Sequence, residues 1–232
     1  MNTKKINYCL SILLSCFFLI SCDFSPVVTE DPIVPAPDEY LDGGDSTIGV
    51  ILCHGRGQSP TWAVVDPLRK GIHEQLGYHT LSLQMPKDNI AWDEYGALFP
   101  DAYEKIEAGI NRLRKQEGVE TIYLMGHSMG SRMATAYLAY QSQAQVAGFI
   151  GVGIRNGGAT PLDSNANLAL IDIPVLDVYG DGGDGKDAEH AAARADMVSD
   201  RYTQKLISGA DHLFINHEAE MVGIVVDWLS TQ

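Results

Sequence analysis

Cysteine is scarce and poorly placed for cross-linking. Of four cysteines, Cys9, Cys16 and Cys22 fall at the start of the chain, and only Cys53 remains beyond them. A single thiol forms no intrachain disulfide, and Cys53, at the end of an apolar run, reads as core filling. Basic residues are few as well: 16 Lys and Arg against 30 Asp and Glu give a formal net charge of -14. That balance argues against nucleic acid as a partner. Long apolar runs are missing too, since the one near-unbroken stretch, residues 9–20, is shorter than the roughly 20 residues a membrane-spanning helix needs. No internal repeat is visible.

What is present at the start reads as an address. Lys4 and Lys5 precede the apolar stretch, as in a secretory signal peptide over residues 1–21. Leu19-Ile20-Ser21-Cys22 resembles a bacterial lipobox, which implies cleavage before Cys22 and attachment of diacylglycerol to its sulfur. Several acyl chains on one residue suffice for stable membrane anchoring. Asp23 resembles an inner-membrane retention signal, so the expected location is the bacterial cell envelope, at a membrane surface facing the periplasm. Residues 22–44, with Pro26, Pro32, Pro35, Pro37 and Gly43-Gly44, read as a Pro-rich acidic tether reaching on the order of 60 Å at about 3 Å per residue. Loss of Lys4 and Lys5 with the leader makes the chain two charges more negative. Residues 45–232 suffice for one compact domain, expected to act as a monomer.

The chemistry is carried by Gly126-His127-Ser128-Met129-Gly130. Thr121 to Met125 is short, β-branched and aromatic, as a buried strand is, and Ser131 to Gln141 has Ala and Met spaced for a helix. A G-x-S-x-G between strand and helix predicts a nucleophile elbow. The turn strains the serine backbone, needs glycines where a Cβ would collide, and lifts the Ser128 hydroxyl above a helix N-terminus.

A serine hydroxyl needs a base, an acid to orient it and two oxyanion donors. Three histidines follow Ser128. His190 falls within a predicted surface helix, residues 186–198, and His217 opens the last predicted helix. His212 lies in a loop directly after the strand-like Tyr202 to Ile207, which makes it the candidate base. The apolar run 173–179 ends in Gly180-Asp181-Gly182-Gly183-Asp184-Gly185, offering Asp181 and Asp184 as acids, while Asp177 within the strand reads as a structural acceptor. Alternating Asp and Gly there suggests a calcium loop, but no bidentate Glu completes one and no metal is expected. Ile48 to Cys53 predicts an earlier strand, and the following His54-Gly55-Arg56-Gly57 places the Arg56 amide as the second oxyanion donor beside that of Met129. His54 and His127 read as packing residues.

With these motifs in place, the chain resembles the α/β-hydrolase family along residues 45–232, and within it a small bacterial hydrolase-like group of serine-esterase type. The resemblance rests on His54-Gly55-Arg56-Gly57, Gly126 to Gly130, Tyr179-Gly180-Asp181 and Gly209-Ala210-Asp211-His212-Leu213-Phe214. It implies an α/β fold with a mostly parallel central sheet, helices on both faces and the chain order nucleophile, acid, histidine. The family's usual acid position, three residues after the glycine, falls on Gly183, so Asp184 is favoured, with Asp181 as the alternative. Further strands over 79–85 and 146–152 and helices over 101–116 and 216–229 complete the pattern. Residues 153–170 are too few for a lid, which favours short or soluble acyl esters. Residues 86–100, with Trp92, Tyr95 and Phe99, are candidates for one pocket wall, although aromatics there are more often packing.

The resemblance implies ester hydrolysis without a cofactor. Two other readings stand beside it: amide, thioester or cell-envelope acyl hydrolysis or transfer on the same apparatus, and a catalytically idle hydrolase fold serving as a tethered binding lipoprotein. The displaced acid favours the latter.

Overall fold

The computed structural model describes residues 37–141 and 145–232. Its centre is a seven-stranded sheet in the order β1-β3-β2-β4-β5-β6-β7, with β1 (Glu39–Leu41) antiparallel to β3 (His79–Leu83) at one edge. The other pairings, through β2 (Ile48–Cys53), β4 (Thr121–His127), β5 (Gly148–Val152), β6 (Val175–Gly180) and β7 (Tyr202–Ile207), are parallel. Strands β2, β3 and β5 are buried on both faces apart from the first residue of β2, which accounts for the continuous apolar runs of β2 and β5, while β3 buries His79, Thr80 and Ser82 among its leucines.

Helices cover both faces. On one side α1 (Val65–Leu76) and α6 (Glu218–Leu229) pack Leu68, Ile72, Met221 and Val225 against Val50, Leu52, Ile150 and Val178. On the other, α2 (Phe99–Gln116) and α3 (Met129–Tyr140) pack Ile106, Leu113, Met133 and Tyr137 against Ile51, Leu124 and Phe149. Two shorter helices, α4 (Ser164–Leu168) and α5 (Lys186–Ala192), flank β6 in the chain. This is the α/β-hydrolase fold, with no helical insertion between β5 and β6 beyond the five residues of α4.

Three local outcomes differ from the sequence pattern. Residues 39–41 are an edge strand instead of the end of a tether: Tyr40 stacks on His79 and its hydroxyl meets His79 Nδ1 at 2.7 Å. No element was expected over 54–78, where α1 forms despite Pro67, which sits in its first turn where a missing N–H costs nothing. The predicted helix 186–198 breaks after α5 into a 3-10 turn, Ala195–Met197. The signal and lipidation expectations at residues 1–22, including Cys22, lie outside the described residues.

Candidate active site

The strand order reverses at β2, which runs between β3 and β4, and the carboxyl ends of β2, β4, β6 and β7 open toward one edge. In open α/β sheets ligands bind at such a switch point. Ser128 stands between β4 and α3 with φ 54° and ψ -116°, a left-handed conformation that a side-chain-bearing residue adopts only under constraint. The constraint is close packing of the elbow: a Cβ at Gly130 would stand 2.1 Å from the Cys53 carbonyl oxygen, and one at Gly126 would stand 2.6 Å from Ser131 Cα. Met129 is the first residue of α3, so its amide sits at the positive end of the helix dipole. Gly55, Arg56 and Met129 line the same cavity as Ser128 and His212.

His212 closes on the serine from the loop after β7. Its Nε2 lies 2.9 Å from Ser128 Oγ, and its Nδ1 lies 2.9 and 2.8 Å from the two carboxylate oxygens of Asp187. Nδ1–H donating to the carboxylate leaves Nε2 free to accept the Ser128 proton.

The carboxylate that meets His212 is therefore neither of the two expected residues. Asp184 is turned away, its carboxylate taken by Arg155 Nη1 and Nη2 at 3.0 and 2.7 Å. Asp181 accepts the Gly209 amide at 2.6 Å and holds the start of the histidine loop. Asp187 lies in the first turn of α5, and only 4% of its side chain is exposed. Gly183 and Gly185, both with positive φ, coil the loop so that the chain reaches the histidine three residues later than anticipated. Burial pushes the Asp187 carboxyl up, but His212 and Arg155 outweigh it and hold the group below the usual carboxylate range. Arg155 Nε donates to Asp187 at 2.7 Å, so one guanidinium ties both aspartates together.

Two other histidines brace the loops around the site. His127 is buried beside His212, with ring centroids 4.9 Å apart, and its Nε2 donates to the His212 carbonyl at 2.9 Å. Burial, then the neighbouring His212, lower its pKa to about 3, so it is a neutral brace for the loop. His54 accepts the Met85 amide at Nε2 and donates from Nδ1 to the Gly55 carbonyl, and burial lowers its pKa to about 4. His217 precedes α6 and lies 3.7 Å from Glu220, away from the serine, whereas His190 lines the cavity from α5. Asp177 is fully buried in an ion pair with Arg194, with Tyr202 and Gln204 also donating to it, a structural acceptor as the strand position suggested.

The cavity above Ser128 has a volume of about 450 Å³. Trp92 lines it, but Tyr95 and Phe99 do not: both are buried in the core beneath, with the Tyr95 hydroxyl bonded to the Asp88 main chain. Arg132 reaches the cavity from α3, at a position that in the sequence reads only as helix interior. No cluster of metal-ligating side chains occurs among the described residues.

The family model described as "Protein of unknown function (DUF3530)" matches residues 98–207, which span β4 to β7 and the elbow. No curated protein matches the chain. Among solved structures, an α/β serine hydrolase homologue from Coxiella burnetii superposes with a TM-score of 0.67 at 22% identity, covering 83% of this chain and 90% of its own. Est1E from Butyrivibrio proteoclasticus, solved with ferulic acid bound, gives 0.66 at 16% identity over 84% and 94%. An α/β serine hydrolase without lid from Xanthomonas campestris gives 0.61 at 15% over 84% and 94%. At these identities the likeness is one of fold, and the neighbours are serine hydrolases.

Proposed function

We propose that the protein is a serine hydrolase cleaving short or soluble acyl esters through Ser128, His212 and Asp187. The observation that carries this reading is the unbroken path from Ser128 Oγ to His212 Nε2 at 2.9 Å and from Nδ1 to Asp187 at 2.8 Å. His212 takes the serine proton as Oγ attacks the ester carbonyl, and the oxyanion forms between the Met129 and Arg56 amides. Asp187 stabilises the imidazolium, which then protonates the departing alcohol. Water, activated by the same histidine, attacks the acyl-enzyme, releases the acid and restores Ser128. Amide or thioester substrates use the same steps. The reading as an idle binding protein drew on the displaced acid, and a carboxylate against His212 removes that motive.

The reading includes the envelope location. Cys22, acylated after cleavage of residues 1–21, anchors the domain to a membrane surface facing the periplasm, and Cys22→Ala is expected to move the protein from the membrane to the soluble fraction.

Labelling with a fluorophosphonate probe tests the chemistry. The wild type is expected to label and to hydrolyse short p-nitrophenyl esters, and Ser128→Ala to do neither. Wild-type protein that is folded yet inert to both would return the idle reading.

A further inference from the structure

The cavity wall beyond the triad carries charge opposite to that of the whole chain. Against a formal net charge of -14, the lining includes Arg56, Arg132, Arg155 and Lys186 and no Asp or Glu. Such a chain repels anions at long range, so a cationic interior needs a local reason. Arg155 has one, in Asp187 and Asp184. Arg132 has none.

Arg132 is only 6% exposed and follows Ser128 by one helical turn, its amide bonded to the Ser128 carbonyl, so it shares the serine's side of α3. Its Nη1 carries both of its side-chain hydrogen bonds, to the carbonyls of Gly157 and Leu162, and its guanidinium lies 5.1 Å from the Trp92 ring centroid. Among the described residues no carboxylate forms an ion pair with it. Asp163, whose charge it feels, caps α4 by accepting the Ala166 amide. Nε and Nη2 have no hydrogen-bond partner among the described residues, and Arg132 is one of the residues that line the cavity. Burial lowers the Arg132 pKa to about 10, with the charge of Asp163 opposing the shift and that of Arg155 adding to it. A guanidinium presents paired N–H groups that match a carboxylate edge on.

We propose that this wall is an anion subsite, in which Arg132, with Lys186 and Arg56 at the rim, takes a carboxylate on the substrate, making the preferred ester one that carries a free acid. The inference rests on the hydrolase reading above and narrows its substrate class. Lys186 and Arg56 are exposed, which suits them to guiding the anion inward, while the buried Arg132 fixes it.

Paired esters test it on both sides of the scissile bond. On the acyl side, monomethyl glutarate is compared with methyl valerate, and on the alcohol side 4-acetoxybenzoate with 4-methylphenyl acetate. In one pair the acid is expected to win in kcat/KM by about tenfold or more, the scale of one charge-assisted contact. Arg132→Gln and, independently, Lys186→Ala should lower that ratio, and Arg132→Lys should keep part of it. Equal rates within both pairs, or a ratio that Arg132→Gln leaves intact in folded protein, would overturn the proposal. Calorimetry with glutarate on Ser128→Ala separates the two readings. Binding that Arg132→Gln abolishes upholds the subsite even if no ester is cleaved, and absence of binding counts against it whether or not esters are cleaved.

Discussion

Three aspartates lie within seven residues of one another after β6, and their surroundings assign each a different task. Asp187 accepts from His212 and Arg155, Asp184 accepts only the outer edge of Arg155 and the Lys186 amide, and Asp181 pins Gly209. Asp187→Asn removes the charge that stabilises the imidazolium and favours the wrong tautomer, so kcat on a p-nitrophenyl ester is expected to drop roughly 10²–10⁴-fold with the fold retained. Asp184→Asn weakens only the brace on Arg155 and should cost a few-fold at most, and Asp181→Asn keeps an oxygen for the Gly209 amide and should cost less still. Circular dichroism and melting on each variant separate misfolding from lost chemistry. A collapse of kcat in Asp184→Asn alone would return the acid to the loop where the sequence pattern placed it.

At the scale of elements, what the sequence revealed follows from how each signal is written. β2 keeps its expected bounds because an apolar run ending at turn residues leaves few alternatives, β7 keeps them because Tyr202-Thr203 and Leu206-Ile207 frame it before the Ser208-Gly209 turn, and the elbow is marked by the glycines that its close packing requires. The loop between β6 and α5 was not legible, because its length is set by backbone turns at Gly183 and Gly185 that no periodicity records, and because Asp187 reads as an ordinary acid in a helix's first turn. Arg132 was hidden for the same reason: only the packed structure shows that one face of α3 looks into a cavity. These loops meet at a single crossing that offers a test. A Cβ at Gly180 would stand 2.1 Å from the Ala210 carbonyl oxygen, so β6 and the histidine loop approach with no room between them. Gly180→Ala is expected to push the loop outward, cutting kcat by more than tenfold while destabilising the protein by about 1–3 kcal/mol, the usual range for overpacking. Urea titration alongside kinetics reads both, and wild-type values for both would show that the approach is not rigid.

Across the whole molecule, the buried histidines couple stability to acidity. His54 and His127 are held neutral by burial, with pKa values of about 4 and about 3 against 6.5 for the exposed side chain. Above about pH 6.5 neither the folded nor the unfolded chain binds a proton at these positions, and their contribution is intact. As pH falls from there toward 4 the unfolded chain takes up both protons and the folded chain resists, so stability drains away at up to about 1.4 kcal/mol per pH unit for each histidine. By pH 4.5 the loss is on the order of 5 kcal/mol, a large share of the roughly 5–15 kcal/mol that holds a typical domain folded. Asp187 and Asp66, both held below the usual carboxylate pKa, add their losses only below about pH 3.8, so the upper part of the acid transition belongs to the histidines. At the envelope location proposed above, external acid reaches the domain directly, and loss of the His127 brace would release the His212 loop along with the fold. Melting temperatures between pH 7.5 and 4.5 should therefore fall steeply. His54→Gln, which keeps an acceptor for the Met85 amide but cannot titrate, should melt lower at pH 7.5 and lose less on acidification. An unchanged slope in that variant would move the acid sensitivity to other groups.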